Sequence, residues 1–142
     1  MLDKKSKANL EIAAACLVMR DEIYYSAGAS RAYYAIFQAT KYFLVKNNFD
    51  YKKLKRKNLI ANNQRAYAHG SIGIALAYFI QSNGFNSQDD LIFINEIYRT
   101  FHKLYYWRRK GDYEKGVIYK KDLKKAIGRA EMFINKLKKY NG

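Results

Sequence analysis

The sequence predicts an all-α protein, an up-and-down bundle of four long helices plus one short helix in a single domain spanning 1–142. Three observations carry this expectation. The 142 residues contain no proline, which leaves long helices unbroken and disfavours turn-rich β architectures. Apolar residues recur three and four positions apart through most of the chain. Hydrophobic residues make up 49% of the composition, enough for one core at this length but not for two domains.

The first helix is expected over residues 4–20, where Leu10, Ala13, Ala14 and Leu17 fall at helical spacing. Cys16 sits in the same run and reads as a small buried apolar residue. The second helix covers residues 24–46. Its apolar face comprises Ala29, Ala32, Tyr33, Ile36, Phe37, Thr40, Phe43 and Leu44, while Arg31, Gln38 and Lys41 point elsewhere.

Residues 47–68 lack that rhythm. Seven cations lie between Lys46 and Arg65 against one acid, Asp50, so the stretch reads as a long surface loop or a short irregular helix. Its run Lys52–Lys57 reads as a solvated charged loop or an arm contacting a nucleic-acid backbone.

A short apolar helix follows over 71–83, with Gly84 as its C-terminal stop. The next helix covers 88–110. Ser87 and Asp90 form an expected capping box, Leu91, Ile94, Ile97, Phe101 and Leu104 the buried face, and Gly111 the end. The last helix covers 120–140, with Leu123, Ile127, Ala130, Phe133, Ile134 and Leu137 inward and lysines outward.

The charge is lopsided. Twenty-seven Lys and Arg against twelve Asp and Glu give +15 at neutral pH, which points to a polyanionic partner. Other classes find no support. No run of 18 apolar residues exists for a membrane span, and the N-terminal apolar run is interrupted by Glu11 and closes on Arg20 and Asp21, unlike a signal peptide. One cysteine allows no disulfide within the chain and no cysteine zinc cluster, and it fits a reducing cytosol. Phosphate-binding glycine loops, GxGxxG, HExxH and GxSxG are missing, and the acids show no metal-ligand spacing. No metal and no cofactor is expected.

The chemistry concentrates in "LYYWRRKGDY", residues 104–113. Extending the buried stripe of the fourth helix by steps of three and four leads through Leu104 to Arg108 and then to Asp112. A cation in line with a core stripe needs a partner, either Asp112 as a structural pair or a phosphate ligand. On another face, Arg99, His102, Tyr106 and Arg109 alternate cations with rings, as single-stranded RNA recognition uses them. Arg31, Asp112 and Tyr113 join the candidate RNA- or nucleotide-contacting set. His69 and His102 are the two histidines. If imidazole catalysis occurs, it uses one of them, with Arg108 as companion. The plainer reading of His69 is a histidine at a helix start making one backbone hydrogen bond.

Three segments together resemble a known family. "SAGASRAYYAIFQATKYFL" (Ser26–Leu44), the turn "AHGSIG" and the Arg-x-x-x-Asp-Tyr pattern of "YYWRRKGDY" occur in an order similar to that of small prokaryotic HEPN-domain proteins. The resemblance covers nearly the whole chain. It implies an α-helical bundle, commonly a homodimer, working in RNA cleavage, toxin–antitoxin pairs or phage defence, often beside a minimal nucleotidyltransferase. The family's ribonucleases carry Arg, four to six residues, then His. Here Tyr113 follows Arg108 after four residues, Glu114 follows Arg109, and neither longer spacing meets a histidine. The resemblance therefore implies an RNA- or nucleotide-binding member without the standard nuclease motif. An atypical metal-independent endoribonuclease using His69 or His102 with Arg108, and a protein-interaction partner of a nucleotidyltransferase, are the alternatives.

Overall fold

The computed structural model describes residues 4–112 and 117–140, with Gly111 and Asp112 by their backbone alone. Among the described residues there are six helices and no strand. They are α1 (Lys4–Cys16), α2 (Glu22–Lys46), α3 (Lys52–Arg56), α4 (Ile72–Ser82), α5 (Gln88–Asp112) and α6 (Lys120–Lys138). The all-α expectation holds, with one more helix than the sequence suggested. No described helix is long and apolar enough to cross a membrane.

α2 is the central element and packs against α1, α4, α5 and α6. Every residue of its expected apolar face is buried, from Ala29 to Leu44. Burying each large side chain contributes roughly 1.5–3 kcal/mol, and four partners use the whole stripe. At Gly28, α1 and α6 come closest to this helix. A Cβ there would lie 2.8 Å from Leu123 Cδ1 and 3.0 Å from Cys16 Cβ.

Local chemistry sets the helix ends. The Asp21 carboxylate accepts the Ile23 N–H at 3.1 Å and starts α2, so α1 stops at Cys16 rather than near residue 20. α2, α3 and α4 all close in the same way. Asn48, Asn58 and Gly84 adopt left-handed φ of 55°, 58° and 81°, and the next residue's N–H reaches back to Leu44, Leu54 or Ile80. The Ser87–Asp90 capping box forms as expected, through the Ser87 N–H to Asp90 Oδ2 (3.1 Å) and the Asp90 N–H to Ser87 Oγ (3.2 Å). Tyr140, beyond α6, donates its hydroxyl to the same carboxylate. These hydrogen bonds, first Tyr140 and then Ser87, hold the Asp90 carboxyl below its usual range.

Three expectations are corrected. α5 runs through Gly111, because a glycine is tolerated in a helix at modest cost. Leu91, in the first turn of α5, is half exposed rather than buried. The stretch 47–68 is pinned as well as charged. Tyr51, Leu54 and Ile60 are buried, and the Tyr67 ring packs tilted against Tyr51 at 4.7 Å between ring centres, with Lys41 Nζ 5.8 Å from the Tyr67 ring centre. Single anchors at irregular spacing leave no periodic signal in a sequence.

Candidate functional site

The segment after α3 ends in a tight entry to α4. Tyr67 takes a left-handed φ of 57°, and the N–H groups of Ser71 and Ile72 both bond Ala68 O at 3.1 Å. This entry presses His69 onto α2. Its ring lies 4.6 Å from Phe37 and 5.4 Å from Tyr33, centre to centre. His69 Nδ1 and the Tyr33 hydroxyl are 2.6 Å apart. The bond runs to an α2 side chain, not to the backbone expected of a helix-start histidine.

α5 supplies the facing wall. Tyr33, His69, Gly70, Phe101, His102 and Tyr105 line one pocket of about 210 Å³. Both histidines of the chain therefore converge on one site, although 32 positions and a whole helix separate them in sequence. Partial desolvation against α2, then the nearby Arg108 and Arg65 cations, hold the His69 pKa below its usual 6.5. Burial pushes the Tyr33 hydroxyl well above its ordinary 10. At neutral pH the first is a neutral imidazole and the second an intact O–H. Tyr33 is only 1% exposed, and its one hydrogen bond among the described residues goes to His69. Donation from the phenol to Nδ1 satisfies this buried O–H and places the imidazole proton on Nε2.

Arg108 lies behind this pocket. It is 9% exposed, in line with the core stripe as the spacing predicts. Its guanidinium carbon sits 5.0 Å from the Tyr34 ring, 5.5 Å from Tyr33 and 5.8 Å from Tyr105. Tyrosine faces thus accommodate the inward-facing cation. The expected partner Asp112 has its side chain outside the described residues, and Tyr113 lies outside them too. Arg109 is exposed and stands 5.9 Å from the Tyr105 ring, at the pocket's edge.

The basic-aromatic stripe on α5 divides between two depressions. His102 faces the pocket. Arg99 instead lines a groove of about 400 Å³ between α5 and α6, with Glu96, Thr100, Arg129, Met132 and Phe133. That groove holds no imidazole and includes Glu96, which pairs with Lys136. Tyr106 is exposed, with Lys103 Nζ 5.9 Å from its ring. Arg31 lies on the α1 side of α2, where it donates to Asn9 Oδ1 at 3.3 Å, and it does not line the pocket. No group of three or more His, Cys, Asp or Glu able to hold a metal ion occurs among the described residues.

Sequence reasoning missed Tyr33, Tyr34 and Tyr105 as parts of the site. They read as core or spare aromatics, and only the arrival of His69 and Arg108 at the same rings gives them a role. Comparison with known protein families, with curated proteins and with solved structures returns no match to this chain.

Proposed function

We propose that this chain is a HEPN-like protein that binds single-stranded RNA or a nucleotide, within a toxin–antitoxin or phage-defence system. The observation that supports this reading most is the aromatic, histidine-lined pocket between α2, the α4 entry and α5, with Arg109 at its edge. Rings that stack and cations that meet phosphate are what an unpaired nucleotide needs. The net charge of +15 adds long-range attraction for a polyanion. In this reading the protein pairs with a second copy of itself or with a nucleotidyltransferase-type partner. Fluorescence anisotropy with a labelled single-stranded RNA over a salt series tests the binding. Affinity that falls steeply with salt supports it, and no binding at low salt refutes its RNA form.

A second reading, a metal-independent endoribonuclease, is favoured by one observation: His69 and His102 face the same pocket. Two imidazoles on one site can divide the acid and base roles of phosphodiester cleavage. Cleavage of RNA in chelator, abolished by His102→Ala, supports it. Full cleavage by the His69→Ala/His102→Ala double variant refutes it.

A further inference from the structure

The pocket's size and lining go beyond a general affinity for RNA. At about 210 Å³ it is smaller than the ~300–1,000 Å³ that encloses drug-sized ligands. It holds one ring system and leaves a sugar and phosphate outside. Tyr33, Phe101 and Tyr105 give it aromatic walls, and Tyr105 has two guanidinium groups against its ring, those of Arg108 and Arg109. A ring polarised by cations is a good stacking surface for an electron-rich base.

The polar group at the pocket has a fixed sense. The Tyr33 hydroxyl lies 2.6 Å from His69 Nδ1, and with the phenol as donor the free ring nitrogen of His69 is an N–H. It can donate to a ligand but not accept from one while the ring stays neutral. Arg109 stands near the Tyr105 ring at the edge, and the Arg65 and Arg108 cations both act on His69. An aromatic pocket with an exposed cation beside it matches a base that carries its own phosphate.

We infer that this pocket receives one unstacked nucleobase, with the Nε2–H of His69 donating to an acceptor on the base edge and Arg109 taking the attached phosphate. The inference rests on the RNA- or nucleotide-binding reading above and narrows it to a base, whether that base belongs to a strand or to a free nucleotide.

The test compares a labelled oligouridylate with an oligomer of equal length and charge whose central nucleotides are abasic, at low salt. Uridine 5′-monophosphate and ribose 5-phosphate form a second arm. The inference expects the abasic oligomer to bind about tenfold more weakly, the order of one lost stacked base. His69→Leu should weaken the intact oligomer and leave the abasic one unchanged. Ring ¹⁵N signals of the wild-type protein give a readout that needs no variant: His69 shows a protonated Nε2 that shifts on adding the nucleotide.

Equal binding of intact and abasic oligomers overturns the base pocket while leaving RNA binding standing. Binding of neither oligomer, with uridine 5′-monophosphate preferred over ribose 5-phosphate, keeps the pocket and assigns it to free nucleotides. When neither oligomer binds, equal binding of those two small molecules, or of none, overturns it.

Discussion

The Tyr33 hydroxyl and His69 Nδ1 lie 2.6 Å apart across 36 positions of sequence. This one contact couples a rigid residue of the central helix to an exposed histidine at a helix entry. It sets which nitrogen of the imidazole faces outward.

Stability should respond to the state of His69. Its folded pKa lies below the ordinary 6.5, so as pH falls the unfolded chain takes up this proton before the native one does. The contribution is complete above 6.5 and is lost below it, toward the folded pKa. Thermal unfolding from about pH 8 to about pH 5 should show a falling midpoint on the acid side. In His69→Leu that acid-side slope should flatten. An identical slope in the variant would assign the effect to other groups.

Arg108 sets its guanidinium carbon 5.0–5.8 Å from the centres of three tyrosine rings, and a lysine ammonium does not reproduce the reach of that planar, delocalised cation. Arg108→Lys should therefore destabilise the fold by about 1–2 kcal/mol, read from urea unfolding. Unchanged stability would mean that these cation–ring contacts contribute nothing net.

Two glycines in helices should respond in opposite directions to alanine. A Cβ at Gly28 meets Leu123 and the Cys16 Cβ at 3.0 Å or less. Overpacking of about 1–3 kcal/mol outweighs the helix-propensity gain of roughly 1 kcal/mol, so Gly28→Ala should lower the unfolding midpoint. At Gly128 nothing lies within 4 Å of the added carbon. Gly128→Ala should raise stability by about 0.5–1 kcal/mol.

RNA affinity should distinguish the arginines by place. Arg109→Ala, at the pocket edge, should weaken binding and reduce the salt slope by about one unit. Arg31→Ala, on the α1 side, should change affinity by no more than about twofold. Equal losses from both would indicate diffuse electrostatic binding and no preferred site.

The sequence by itself determined the helical class, the buried faces of α2 and α6 and the capping box at Ser87. All of these follow from interactions within four residues, which periodicity records directly. It also marked Arg108 as a cation on a core stripe and named both histidines. Only the tertiary structure decided what those residues meet. Tyr33 reads as a core aromatic until the α4 entry brings His69 onto its hydroxyl, and Arg108 is only a cation on a core stripe until α2 sets Tyr33 and Tyr34 against it. Likewise Arg99 and His102 share a helix face in sequence, yet the neighbours of α5 send them to separate depressions. Those outcomes depend on which helices pack side by side, a long-range relation that no local pattern encodes.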